Sequence, residues 1–411
     1  MAGFSIRTFL DNIRSLGNPE KRGIITDLLN NSYWDVSRDG YTNSGRSVSA
    51  DDSLEYPAVW AAVQLISKTI ASLPFDVIER TDYGRKVVKD HPLYTLVHRA
   101  PNSFMTSFTY RQVLMLDMLL HGNGYAFIHR GADERQNRLQ IISPERVSIY
   151  EVDGELFYQI DSGDMIPAYN MIHCMGLTQN GIIGMSPITY ARESIAAGLT
   201  AQEYSGELMA NGITATGIIE MDGIPKDDQL EDLKKQMGQQ FSGSRKTNKY
   251  GIAIMYGGMK FNRIAIPPVD AQFMEQRKFS VSDVGRIFNT PPHLIGDVEK
   301  STSWGTGIEQ QNIGFHQYTL LPWMKVIEQE HDRKLFAFDE KGRIGTKLNA
   351  DGLLRGDVKT RTAYYQSMKL SGNLSTNEIR AFENLEPREG HDELMYPVNS
   401  TTLENIKSDE E

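Results

Sequence analysis

From Tyr56 onward, apolar residues fall at three- and four-residue steps: Tyr56, Val59, Trp60, Val63, Ile66 and Ile70. That spacing predicts a helix with one apolar stripe. Pro57 suits its first turn, and Pro74 lies just past its end. Residues 75–80 alternate, which predicts a strand, and Tyr83-Gly84 supplies its turn. Residues 108–121 form a second predicted helix through Leu114, Met115, Met118 and Leu119, stopped by Gly122-Asn123-Gly124. Short strands follow at 125–129, 139–142, 147–152 and 156–160, with Asp153-Gly154 as a hairpin turn between the last two. Residues 47–184 therefore predict one α+β domain.

Beyond it a helix starts at Ser186-Pro187, a good cap followed by a residue suited to the first turn. Ala191, Ser194, Ala197, Gly198, Ala201 and Gly206 make it small-sided. Such a surface admits close approach, inside a core or against another copy. Residues 213–268 predict a separate small unit. It holds a strand at 216–221, an amphipathic helix at 227–241, a polar loop at 242–249, and strands near 252–255 and 261–266. A helix at 270–288 ends before Thr290-Pro291-Pro292. Residues 296–307 carry only Val298 and Trp304 among polar and glycine residues, so they predict a loop.

The long helix that follows, 308–336, places Leu320, Trp323, Met324, Ile327, His331 and Leu335 on one stripe, and Pro322 should bend it. Residues 357–371 and 375–384 predict two more helices joined at Gly372-Asn373. The tail from Asn399 is acidic and expected to fray. At the other end, Ile6, Phe9, Leu10, Ile13 and Leu16 predict an amphipathic docking helix, followed by a loose polar arm at 23–52. No stretch approaches the roughly 20 apolar residues of a membrane span. With no signal-peptide pattern, the expectation is a soluble protein that is not secreted.

Composition sharpens this. The chain has 411 residues, 40% hydrophobic and 23% charged, enough for two or three globular domains. Its formal net charge of −10 argues against a general DNA-gripping surface, which needs a basic face. Any nucleic acid should be met loosely or in a restricted place. The single Cys174 excludes a disulfide framework and multi-cysteine zinc sites.

Catalytic motifs do not assemble. Gly296 to Ser301 lacks the second glycine and the spacing of a phosphate-binding loop, and Gly184-Met185-Ser186-Pro187 lacks the second glycine of a nucleophile elbow. The nine histidines form no helical zinc pair. Asp227, Asp228, Glu231 and Asp232 suit the first turn of a helix, where the dipole favours acid, with Lys234 and Lys235 further on. Two glycosylation-like triplets, at Asn373 and Asn399, carry no weight without a secretory signal. Neither a cofactor nor a metal is expected.

In order, the residues resemble the portal (head–tail connector) proteins of tailed bacteriophages, of the siphophage type. The resemblance runs from Tyr56 to Pro387. It is carried by Pro57-Ala-Val-Trp60, Ile70-Ala-Ser-Leu-Pro74, His91-Pro92-Leu93, Pro101-Asn102 and Gly122-Asn123-Gly-Tyr125-Ala126. Pro144-Glu-Arg-Val147, Gly184-Met-Ser186-Pro187-Ile188 and Phe273-Met-Glu275-Gln-Arg277-Lys278 continue it. Ile287-Phe-Asn289-Thr-Pro291-Pro292-His-Leu-Ile-Gly296, Leu321-Pro322, Asn377-Glu378-Ile379-Arg380 and Glu386-Pro387 complete it. Asn289-Thr290 departs from the pattern, since such portals often have Gly and a small apolar residue there.

The resemblance implies a portal fold assembled as a ring around a central channel. It assigns 1–46 to an N-terminal helix and arm, 47–185 to the wing, 186–210 to stem helix one and 211–268 to the clip. Stem helix two would be 269–289, the tunnel-loop region 290–306, the bent tunnel helix 307–338 and a returning wing strand 339–352. A short crown at 353–398 and the acidic tail at 399–411 complete the map. Implied stem-packing residues are Ala191, Ser194, Ala197, Gly198 and Ala201. Lys300, Ser301, Thr302, Ser303 and Trp304 would face the DNA channel. Asp227, Asp228, Glu231, Lys234, Lys235, Arg245 and Lys246 would dock the terminase and the adaptor.

The implied partners are further copies of the chain in a dodecamer, the major capsid protein, the large terminase, the head–tail adaptor and double-stranded DNA in transit. No membrane is implied. The expected place is the capsid vertex, and the host cytoplasm during assembly. The role would be mechanical and not enzymatic. Two other readings fit the residues: a capsid-associated protein that forms no ring, and a hydrolase using His293 or His331 with a nearby carboxylate.

Overall fold

A computed structural model describes residues 42, 47–82, 84–132, 137–152, 154–211, 217–220, 260–263, 281–296, 306–350, 358–383 and 385–395. The chain divides into two units, residues 1–347 and 348–411. The first is mixed helix and strand, as the patterning predicts.

Its helical floor begins with α1 (Ala50–Leu54), where Ser49 Oγ accepts the Asp52 N–H and Asp52 accepts the Ser49 N–H in return. Helix α2 (Pro57–Ser72) buries Val59, Ala62, Val63, Ile66 and Ile70. Trp60 corrects the predicted stripe. It lies about 100° round the helix from Val59 and stays 54% exposed.

Strand β1 (Phe75–Thr81) turns back as β2 (Gly84–Val87), pairing Ile78 with Val87 and Arg80 with Arg85. After the short α3 (Tyr94–His98), helix α4 (Ser107–His121) starts on a Thr106 cap and buries Leu114, Met115, Met118 and Leu119. Gly122 closes it at φ +77°, a left-handed turn that favours glycine.

Arg111 on α4 is the unexpected core residue. Its guanidinium donates to the carbonyls of Ala71 at 2.7 Å and Leu73 at 3.0 Å, where the end of α2 leaves acceptors without helical partners. Burial lowers its pKa to about 10, so it remains charged at neutral pH.

The remaining strands are β3 (Asn123–His129), β4 (Arg138–Ile142), β5 (Val147–Val152), β6 (Glu155–Ile160), β7 (Met165–Pro167) and β8 (Met171–Met175). They form two small sheets, ordered β4-β3-β8 and β5-β6-β7. Tyr125, Ile142, Ile149, Tyr158 and Met171 share one apolar cluster that joins them.

Helix α5 (Pro187–Asn211) leaves this body and packs against α1 and α4. Strands β9 (Gly217–Glu220) and β10 (Lys260–Arg263) pair antiparallel, bringing together segments some 40 residues apart. Residues 281–287 are helical, as the pattern predicts for the end of the 270–288 segment.

The predicted long helix is interrupted. Helix α6 (Thr306–Gly314) passes into a π-helical turn, Phe315–Leu320, and then into α7 (Leu321–Leu335). Pro322 cannot donate to the carbonyl four residues back, and the wide turn falls just ahead of it. The α7 stripe is buried as predicted through Met324, Ile327, His331 and Leu335. The chain returns as β11 (Ile344–Leu348), which extends the sheet as β11-β1-β2.

In the second unit, α8 (Val358–Leu370) precedes α9 (Thr376–Phe382). Ser375 caps α9 through a reciprocal pair with Glu378, at 3.1 Å and 2.7 Å. The rings of Tyr365 and Phe382 stack between the helices, 6.3 Å apart.

Candidate functional site

The start of α5 is locked to the end of α4 by backbone contact. A Cβ on Gly184 would lie 2.0 Å from the Gly122 carbonyl oxygen, and one on Gly122 would lie 2.3 Å from that of Met185. Only glycine fits either position. Asn123 fastens the crossing. Its side-chain oxygen accepts the Gly184 N–H at 2.7 Å, and its amide donates to the carbonyls of Gly184 at 2.9 Å and His121 at 3.0 Å. Ser186 donates to the Leu120 carbonyl at 2.6 Å while accepting the Thr189 N–H at 3.2 Å. The two glycine motifs thus form one joint, through which the small-sided helix leaves the α+β body.

Behind the joint lies a buried polar chain. The Asn123 oxygen also accepts from His173 Nε2 at 3.0 Å, which leaves Nδ1 to accept the Tyr158 hydroxyl at 3.1 Å. Burial, with Lys334 and Arg333 nearby, pushes His173 down to about 3, so it is neutral. Its main-chain N–H donates to Glu330 on α7 at 3.2 Å, and Arg333 holds that carboxylate at 2.8 Å. The joint, strand β8 and helix α7 are therefore coupled through fixed hydrogen bonds.

A second structured element is the root of the predicted tunnel loop. Asn289 follows the helical residues 281–287 at φ +51°, a conformation in which asparagine is the usual substitute for glycine. Its amide donates to the Tyr318 carbonyl at 3.1 Å, and its own carbonyl accepts the Thr319 hydroxyl at 2.5 Å. His293 Nε2 lies 3.3 Å from Asn312 Oδ1. The strand of chain entering the loop is thus bonded to the helix leaving it.

The predicted stem-packing residues divide. Gly198 is buried because Tyr56 lies over it: a Cβ would meet that ring at 2.8 Å. Ala191 is buried too, Ser194 and Ala201 are half-buried, and Ala197 is exposed. For Gly198, then, the small residue serves a contact within the chain. Lys300, Ser301, Thr302, Ser303 and Trp304 lie outside the described residues. So do Asp227, Asp228, Glu231, Lys234, Lys235, Arg245 and Lys246. Asn123 and Tyr56 escaped sequence reasoning as functional positions, although both stand within quoted motifs or one residue from them.

Among the described residues, neither histidine of the hydrolase reading is paired with a carboxylate: His293 meets Asn312. His331 is fully buried, with Nε2 3.1 Å from the Tyr110 hydroxyl and Nδ1 2.7 Å from the Ile327 carbonyl. Burial pushes it down to about 4. Among the described residues, no group of three or more His, Cys, Asp or Glu side chains could hold a metal ion.

The profile of the phage portal protein family matches residues 57–384. The portal protein of Enterobacteria phage HK97 is 32% identical over 393 residues, covering 94% of this chain and 92% of the relative. The fold is similar to the crystal structure of an HK97-family phage portal protein from Corynebacterium diphtheriae. That match has a TM-score of 0.57 at 16% identity and covers 77% of this chain and 98% of the other. It is also similar to a chain in the neck of a native gene transfer agent particle computed with C12 symmetry. There the TM-score is 0.50 at 20% identity, over 86% of this chain and 94% of the other.

Proposed function

Because the chain belongs to the phage portal protein family, we propose that it assembles as a closed ring, a dodecamer in the virion, and serves as the DNA conduit at one capsid vertex. The observation that carries this is the 32% identity to the HK97 portal protein across nearly the full length of both chains. Ring assembly draws support from the C12 neck particle. It also accords with chain shape: α5 leaves the body by a rigid joint, so a repeated heterologous contact would meet the same orientation in every copy.

On this reading the major capsid protein surrounds the ring. The large terminase docks on the clip, residues 211–268, during packaging, and a head–tail adaptor takes its place afterwards. Assembly takes place in the host cytoplasm. The ring's own part is mechanical, and nucleotide hydrolysis belongs to the terminase. A net charge of −10 suits a channel through which DNA must slide, since fixed cations would hold phosphates in place. Lys300 and its neighbours form the restricted exception, a collar that resists slippage of DNA during packaging.

Native mass determination of the purified protein, followed by negative-stain imaging of its largest species, tests the reading. Rings with a central hole and high rotational symmetry are expected. A monomer at every concentration, or a compact dimer, would overturn ring assembly. For the collar, shortening residues 296–307 should leave rings intact but impair packaging or DNA retention. Unchanged packaging and retention would remove the collar from the scheme.

A further inference from the structure

A cleft of about 290 Å³ opens between helix α7 and the face of strands β1 and β11. Ile78 and Ile344 contribute apolar surface to it, and Arg80, Arg333 and Lys341 bring positive charge. Asp332 is the one carboxylate among its lining residues, and it is occupied internally. Its Oδ1 accepts the Thr346 N–H at 2.5 Å and the Thr346 hydroxyl at 2.7 Å.

The cations are differently engaged. Arg333 is held by Glu330 yet leaves its side chain 61% exposed. Arg80 and Lys341 make no direct side-chain hydrogen bond or ion pair among the described residues, although the Arg80 charge is felt by Asp332, and both are exposed. The positive character continues outward. Arg85 and Lys86 are exposed on β2, while Lys325 and Lys347 converge on Glu328 at 2.7 Å and 3.3 Å. This basic face stands on a chain whose overall charge is −10.

The chemistry selects the occupant. A DNA phosphate would meet the cations but leave both isoleucines wet, because it has no apolar atoms to bury. A protein segment that alternates carboxylates with apolar side chains would satisfy both surfaces at once, with charge at the rim and hydrocarbon on the floor. We propose that this cleft is a docking site for an acidic, partly apolar segment of a partner protein. The site does not depend on the DNA-conduit reading: its residues come from the predicted wing and from the last turns of the bent tunnel helix, and none is among the predicted channel-facing or clip-docking residues.

The test uses the full-length protein and a fluorescein-labelled peptide of alternating glutamate and leucine, titrated by fluorescence anisotropy at low and high salt. A lysine–leucine counterpart and a short DNA duplex serve as comparison probes. The glutamate–leucine peptide should bind, more weakly at high salt. Combining Arg80→Glu with Lys341→Glu should lower its affinity about tenfold, while Arg138→Glu, at an exposed position of β4, leaves it unchanged. The milder pair Arg80→Gln and Lys341→Gln guards against misfolding and should show a smaller loss in the same direction.

Absence of peptide binding, or binding indifferent to these reversals, would overturn the proposal. So would a duplex that binds more tightly than the peptide and depends on the same two residues.

Discussion

The side-chain amide of Asn289 donates to the carbonyl of Tyr318 at 3.1 Å, and that carbonyl lies four residues before Pro322, which has no N–H to offer it. One residue thus relieves two local faults. It accepts the left-handed φ of +51° that ends the preceding helix, and it supplies a donor to the π-helical turn. Asn289→Gly keeps the conformation and loses the bond, so it should cost about 1 kcal/mol. Asn289→Ala loses the bond too and, unlike glycine, keeps a Cβ in the left-handed region, now without the polar side chain that makes asparagine tolerant there, so it should cost about 1 kcal/mol more. Urea denaturation of the two variants decides the matter: alanine milder than glycine would mean that the turn is not held this way.

The joint at the base of α5 makes a sharper prediction. Gly184→Ala would force a methyl to within 2.0 Å of the Gly122 carbonyl oxygen, and neither backbone can retreat without breaking the Asn123 bonds. A loss of more than about 3 kcal/mol, or failure to fold, is expected. Gly206, inside the same helix, has nothing within 4 Å of its Cβ position among the described residues. Gly206→Ala should therefore stabilise the protein by about 0.5–1 kcal/mol through helix propensity. Thermal unfolding of both variants would contradict this picture if their effects were alike.

These two sites also show what the sequence could and could not disclose. Gly122 as a helix stop and Ser186-Pro187 as a helix start are legible because each acts through its immediate neighbours. Their mutual lock is not, because it joins residues some 60 positions apart by backbone contact. The small-sided face of α5 was legible as composition, but Gly198 is small on account of Tyr56, a partner that spacing cannot name. The stripe of α7 is buried at Met324, Ile327, His331 and Leu335 with Trp323 half-buried beside it, whereas Trp60 fell off its own helix's stripe because three- and four-residue steps admit neighbouring faces. Asn289 stood out only as a departure from the family pattern. The conformation and the donor that make it a competent substitute depend on Tyr318, 29 residues away, which local pattern does not reveal.

The neutral histidines set an acid limit. His173 and His331 are held down to about 3 and about 4, against an ordinary value of 6.5 in the unfolded chain. Unfolding therefore takes up protons, and the stability that each contributes above pH 6.5 is lost as pH falls below it. At about pH 5 the loss is on the order of 2 kcal/mol for each residue. His331→Gln should lower stability at neutral pH, because the ring packs edge-on against Phe75 at 5.2 Å. It should also flatten the decline toward pH 4. A midpoint-versus-pH curve parallel to that of the parent protein would show that His331 does not titrate on unfolding.

Asp117 acts in the opposite sense. Burial raises its carboxyl to about 7 from an ordinary 3.8, and among the described residues Oδ2 is sealed without a hydrogen-bond partner. The folded protein thus holds a proton that the unfolded chain releases between about pH 4 and pH 7, so this residue's contribution to stability declines across that window as pH rises. Above it, a charged carboxylate sits where water does not reach it well. Asp117→Asn removes the charge at nearly constant shape. It should stabilise the protein more near pH 8 than near pH 5, by on the order of 2 kcal/mol, and change little only near pH 3, where the carboxyl is protonated in both states. Chemical denaturation at the higher two pH values separates this from a packing effect. An equal shift at both, or destabilisation at the higher pH, would mean that Asp117 finds a compensating partner and carries its charge without penalty.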